Sequence, residues 1–235
     1  MTVELTPITL NSINKEEYSI FFHYICESLK QIHEAQPELH YHGGLDHSLL
    51  VHEQALLLSD MEGLLENQRN LAGILAIGHD LGFFQQYLDN EPFGVDAMVF
   101  GMRNFGSLQK FIGDVEEPIL STNLNYTPKT LIAKILRDAD LSAIGRKDFP
   151  LWAARLRKEW LDHPEVPNEL NAIANNDHEF YQLEHDFINH HQWQTRSAER
   201  LYGTQLKKNR LAVNSKPEWL LLENIEDSLA GKYLL

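Results

Sequence analysis

Helical spacing dominates the placement of apolar residues along this chain. Asn14 ahead of KEEY reads as a helix start with acids in its first turn, and that helix is expected to run to about Gln36, before Pro37. The loop PELHYHGG follows. Asp46 is then expected to cap a second helix, in which Leu50, Leu57, Leu58, Met61, Leu64 and Leu65 fall at the intervals of a buried stripe. The third segment, NLAGILAIGHDLGFF, is apolar nearly all round, which places it at the centre of the protein. Further helices are expected at about 92–104, 107–122, 128–143, 147–162, 167–190, 194–212 and 216–230, with Pro118, Pro128, Pro150, Pro164, Pro167 and Pro217 at starts or connections. No repeat, low-complexity tract or long linker interrupts them. The pattern predicts an all-α fold, a compact multi-helix bundle. It is read as a single domain over residues 1–235, with helices from 147 to 235 packed on a core at about 40–145.

Composition narrows the function. Glycine and proline, 13 and 9 residues, do not recur at the short intervals of a sandwich or barrel. Against 20 basic residues stand 34 acidic ones, a balance that repels nucleic-acid backbone and anionic lipid. Neither nucleic acid nor membrane is therefore expected as a partner, and an anionic substrate would need help from a metal or a few placed cations. Cys26 is the only cysteine, so no intrachain disulfide can form and a reducing compartment is expected. The N-terminal MTVELTPITL lacks the basic and apolar regions of a signal peptide, and no apolar run nears the ~20 residues of a membrane span. A cytoplasmic protein is expected.

The 12 histidines direct attention to chemistry. His79 and Asp80 sit side by side in the most apolar segment. Burying an unpaired carboxylate there costs several kcal/mol or more, about as much as the whole stability of a small domain. Either a hydrogen-bonded partner or a metal must compensate, and this segment alone leaves both open. On a helix turning about 100° per residue, Leu50, Val51, Leu58, Met61 and Leu65 lie within about 60° of His47. His47 therefore faces the core, whereas His52 points about 140° away and is expected in solvent. In TLIAKILRDADLSAIG the buried face is Ile132, Ile135, Leu136, Ala139 and Ala143. Asp140 borders that face. Asp138 falls on the other side among Lys134 and Arg137, and is expected to be a surface acid. Two imidazoles and two carboxylates suit a divalent ion such as manganese, iron, cobalt, nickel, magnesium or zinc. Four protein ligands on an octahedral ion leave positions for water or substrate, as in a catalytic site.

The order H…HD…D, carried by His47, His79-Asp80 and Asp140, resembles the HD-domain metal-dependent phosphohydrolases. The flanking words YHGGLDHSLLV, AIGHDLGFF and LRDADLSAIGRKDF are similar to the segments that hold the family's ligands. Bacterial predicted HD phosphohydrolases also have an acidic NE segment, here Asn90-Glu91, and a late helix resembling EHDFINHHQWQTRSAERLYG. The resemblance spans roughly residues 40 to 210 and implies an HD-type helical bundle. It implies that His47, His79, Asp80 and Asp140 bind a divalent metal, with Asp80 and Asp140 also serving catalysis by orienting a water. It matches His42 to the histidine that protonates the leaving group in the phosphodiesterase branch. Here five positions separate His42 from His47, where that branch usually has four. Glu91 is a candidate for a second metal or for substrate, with a first-turn helix acid as its plain alternative. Arg146, with Lys147, is a candidate phosphate contact, set against surface charges at a helix junction.

The resemblance implies hydrolysis of a phosphate ester of a small molecule, a nucleotide among the candidates, by a metal-activated water. Two other classes stay open: a regulatory metal-binding module without turnover, and a di-iron oxygenase, for which Glu91 is a poor stand-in for the histidines of a second iron site. His185-Asp186 repeats the HD dipeptide in a polar stretch where nothing forces a metal. His190 and His191 are expected to stay out of the site. The run KKNR, residues 207–210, reads as a solvated face, with a similar element in the resembling family suggesting a role in closing the pocket. The chain is expected as a monomer or homodimer. EWLLLENI is the candidate dimer contact, and packing on its own domain is its preferred reading.

Overall fold

The computed structural model describes residues 12–43 and 45–233. Residues 1–11, which hold the stretch read above for a signal peptide, lie outside them, as do residue 44 of the glycine loop and residues 234–235. All regular elements among the described residues are helical, and none is a strand. The fold is all-α. None of these helices is long and apolar enough to cross a membrane.

Helix α1 (Lys15–Ala35) starts where its cap says it should: Asn14 Oδ1 accepts from the backbone N–H groups of Glu16 and Glu17, at 2.8 and 3.1 Å. Helix α2 (Leu45–Met61) begins two residues earlier than a cap at Asp46 would place it, and Asp46 lies inside its first turn. The buried face of α2 is His47, Ser48, Val51, Ala55, Leu58 and Ser59, while Leu57 and Leu65 are exposed. His52 is not in solvent. It sits against Phe22 of α1 and bonds through Nδ1 to the Gly73 carbonyl of α3 (Glu66–Gly78) at 2.9 Å. A helix enclosed by neighbours buries more than one stripe, so the 140° offset led into a second contact.

As its composition requires, α3 is the central helix, buried continuously from Leu71 to Gly78. It tightens into a 3-10 turn over His79–Phe84. Gly82 permits the start of α4 (Glu91–Met102) to approach, since a Cβ there would stand 1.9 Å from the Asn90 carbonyl oxygen. The helix expected over 107–122 divides into a 3-10 turn, Gln109–Asp114, and the short α5 (Glu116–Leu120). Pro118 lacks an N–H and cannot continue a helix arriving from its N-terminal side. Helix α6 (Leu131–Asp140) runs into a 3-10 turn, Leu141–Gly145. Helix α7 (Phe149–Asp162) matches expectation. The long helix expected over 167–190 is two, α8 (Asn168–Asn175) and α9 (Asp177–His190), because Asn176 turns its side chain to the N–H groups of His178 and Glu179 and begins a new helix. Helix α10 (Arg196–Asn214) and two 3-10 turns lead to α11 (Ile225–Leu229).

Helix α2 packs against both α3 and α6, joining the three segments that carry candidate ligands. The larger core lies among α1 to α6 and includes the buried Cys26; a second apolar cluster gathers Phe149, Phe180, Ile188, Leu206, Val213, Trp219 and Leu220. Trp219 and Leu220 of EWLLLENI are thus buried within the chain's own core.

Asp138 corrects the sequence expectation most sharply. It is fully buried and accepts from the N–H groups of Gln194 and Thr195 and from the Thr195 hydroxyl, each at 2.8 Å. This anchors the start of α10 to α6. Beside it, Arg137 is buried too, donating to the carbonyls of Ser121, Asn123 and Tyr126. The KKNR run is likewise split. Lys207 and Lys208 are exposed, whereas Asn209 donates to the carbonyls of Ile144 and Arg146, and Arg210 to those of Ile188 and His191.

Candidate metal centre and adjoining cavity

His47 from α2, His79 and Asp80 from the end of α3, and Asp140 from the end of α6 converge on one point. His47, His79 and Asp80 form a buried group whose ligand atoms all lie within 4.8 Å of one another, a set that can hold a metal ion. His47 Nε2 stands 3.4 Å from Asp80 Oδ2 and 3.3 Å from Asp140 Oδ1. His79 Nε2 stands 3.2 Å from Asp80 Oδ1 and 3.4 Å from Asp140 Oδ1. A charge-assisted hydrogen bond would be about 2.7–2.9 Å long. Atoms that share an ion at about 2.1 Å are instead separated by about 3.0 to 3.5 Å.

The hydrogen bonds around the cluster leave its facing ligand atoms available to a cation. His79 Nδ1 lies 2.8 Å from the Ala76 carbonyl oxygen, which only accepts. The neutral ring therefore carries its proton on Nδ1, and the Nε2 lone pair faces the carboxylates. His47 Nε2, His79 Nε2 and Asp80 Oδ2 are buried and lack a hydrogen-bond partner among the described residues. Lone pairs and carboxylate oxygens at this spacing repel unless protons or a metal lie between them. Burial alone would lower the pKa of both imidazoles, but Asp80 and Asp140 outweigh it and raise them. Burial pushes both carboxyls up in turn, and the two histidines reverse that and hold them below the ordinary range.

His42 lies beside this cluster, held by a residue that sequence reasoning missed. Glu159 of α7 is fully buried and accepts four hydrogen bonds. Its Oε2 takes the N–H groups of Tyr41 and His42, at 2.7 and 3.0 Å; its Oε1 takes His42 Nδ1 at 2.6 Å and the Tyr87 hydroxyl at 2.8 Å. Arg155 pairs with Asp46 and Asp162 with His40, so positions i, i+4 and i+7 of α7 grip the loop after α1 and the first turn of α2. That spacing within ARLRKEWLD was the available signal, but it reads equally as a solvated charged stripe. Burial alone would lower the His42 pKa, yet Glu159, with smaller help from Asp80 and Asp140, raises it to about 9.

A cavity of about 470 Å³ opens beside the cluster. His42, Asp140 and Glu91 line it, together with an apolar wall that includes Phe83, Trp160, Leu170 and Phe187. Arg146 is engaged by Asp148 through two bonds of 2.9 Å, and Lys147 is exposed. His185 pairs with the exposed Asp186, and His190 is exposed. His191 packs on Trp193, and burial pushes its pKa down to about 4.

Glu184 is the second residue missed. It continues the buried stripe of α9 between Phe180 and Ile188, only 4% exposed, and its carboxyl has no hydrogen-bond partner among the described residues. Burial pushes its pKa from the ordinary 4.5 up to about 7. Between those values the unfolded chain releases a proton that the folded chain keeps, so stability falls as pH rises through this interval. The loss amounts to about 3 kcal/mol and is complete above pH ~7. Glu184→Leu is expected to flatten this part of the stability curve, measured by urea unfolding at pH 5 and pH 8. Parallel curves for wild type and variant would contradict the unpaired burial of this carboxyl.

Comparison with known proteins returns no match: no family model fits the chain, and no curated protein or solved structure is significantly similar to it.

Proposed function

We propose that this chain is a metal-dependent phosphohydrolase of the HD-domain superfamily, cleaving a phosphate ester of a small organic molecule. The observation that supports it most is the set of buried, unpartnered ligand atoms on His47, His79 and Asp80, closed by Asp140. The donors are two imidazole nitrogens and two carboxylates, which suits a first-row divalent ion. The resemblance of the H…HD…D order and its flanks to that superfamily adds to this reading. When bound, a divalent ion lowers the pKa of water and offsets the negative charge of a phosphoryl group.

The chain's own residues supply the remaining steps. Asp140, more exposed than Asp80 and part of the cavity wall, orients the attacking water by accepting its hydrogen bond. A new P–O bond forms from that water as the bond to the leaving oxygen breaks, and the proton the water loses passes to the Asp140 carboxylate. His42, protonated at neutral pH and aimed by Glu159 through Nδ1, gives a proton to the leaving oxygen from Nε2. Glu91 lines the same space and is assigned to substrate or a second ion. The apolar wall suits the organic part of the ester.

The test is the metal content of the purified protein, paired with hydrolysis of p-nitrophenyl phosphate and bis-p-nitrophenyl phosphate. Turnover is expected to vanish with a chelator and return with manganese. A protein that binds no divalent ion overturns the reading. An ion bound without cleavage of either ester moves it to the regulatory module or the oxygenase.

A further inference from the structure

Glu184 lies on the buried stripe of α9 and lines the cavity, and no described residue hydrogen-bonds its carboxyl, which leaves it open to a ligand there. The cavity wall around Glu184 is apolar: Leu156, Trp160, Leu170, Leu183 and Phe187 line the same space. Its charged lining is one-sided. Asp89, Glu91, Asp140 and Glu184 contribute, against His42, and the lining includes no lysine or arginine. Asp140 and Glu184 both line this one cavity, so the two carboxylates face one connected space. An apolar ligand without a donor would leave the carboxyl unsatisfied, and an anion at that wall would repel it. A cation with N–H groups satisfies it and keeps it ionised.

We propose that Glu184 is the specificity-determining residue of this cavity, accepting a hydrogen bond from an ammonium group on the apolar organic body of the ligand. Taken with the proposed hydrolase reading, on which this extension alone rests, the substrate class is a zwitterion: a phosphate ester whose organic part carries an amine. The phosphate lies toward Asp140 and the cluster, the amine toward α9. Neither the volume nor the apolar wall is needed to bind a phosphate. Both are accounted for by an organic body large enough to reach Glu184.

Binding of three probes to the full chain tests this without metal or turnover. Tryptamine carries the ammonium, 3-propylindole replaces it with a methyl, and indole-3-propionate replaces it with a carboxylate. Calorimetry or ligand-observed NMR is expected to show wild type binding tryptamine at least tenfold more tightly than 3-propylindole, and indole-3-propionate most weakly. In Glu184→Gln that preference is expected to shrink below threefold, and in Glu184→Leu to reverse. The glutamine variant preserves shape, so it serves if the leucine variant packs differently. A tryptamine preference that survives both substitutions overturns the assignment, because the ammonium then rests on other carboxylates. Wild type that binds none of the probes overturns it as well. Failure of the hydrolase reading would instead appear as metal-independent or absent ester cleavage with this binding pattern intact.

Discussion

Asp140→Asn is expected to lower metal-dependent turnover by roughly a thousandfold or more and to weaken manganese binding at least about a hundredfold, while leaving the fold standing. Asp140 Oδ1 lies within 3.4 Å of both imidazole Nε2 atoms, and an amide there removes the charge that draws a cation to the cluster. The same exchange two residues earlier is expected to do the reverse. Asp138 accepts two N–H groups and a hydroxyl at the start of α10, and an asparagine presents only one acceptor oxygen to them. Asp138→Asn is therefore expected to cost about 1–3 kcal/mol of stability and to keep its metal affinity. Manganese titration and urea unfolding of both variants make the comparison. Loss of metal in the Asp138 variant with retention in the Asp140 variant would invert the assignment.

Replacing Glu159 has the largest expected effect on stability. Glu159→Ala strips the acceptor from two backbone N–H groups, a hydroxyl and an imidazolium in one buried spot, at a cost of about 3–5 kcal/mol. For a chain of this size that is a fall in Tm on the order of 10 °C. Glu159→Gln separates positioning from folding. It keeps the shape but not the charge, and the His42 pKa is expected to drop from about 9 toward or below its ordinary 6.5 as burial takes over. The stability contributed by His42 protonation is fully present near pH ~6.5 and is lost as pH rises through about 9, whereas the share of Glu159, whose pKa is lowered, is lost only as pH falls below the carboxylate range. The glutamine variant should lack that stretch of pH dependence. NMR titration of His42 reads the shift directly, and a purely structural Glu159 would leave it unmoved. Hydrolysis of esters with poor leaving groups should fall further than that of p-nitrophenyl phosphate, whose departure needs little protonation.

By itself the sequence determined the helical class, the α1 cap at Asn14 and the central place of the α3 segment. It also pointed His47, His79-Asp80 and Asp140 toward one interior. These are local matters: a cap lies within four residues of the groups it satisfies, and a helix projection places a side chain relative to its own core face. The cost of burying His79-Asp80 is likewise legible wherever the surrounding residues are apolar. Tertiary structure decided what depends on a second element. Asp138 looked like a surface acid because its donors lie 56 and 57 residues away on the entry to α10. His52 looked solvated because its partner is a carbonyl of a neighbouring helix. Glu159 looked like one more charge on α7 until the α1–α2 loop folded over it, and Glu184 stood in a stretch that read as polar until α9 became a cavity wall. Periodicity shows which side of a helix faces inward, but the partners there, or their absence, follow from the packing of the whole chain.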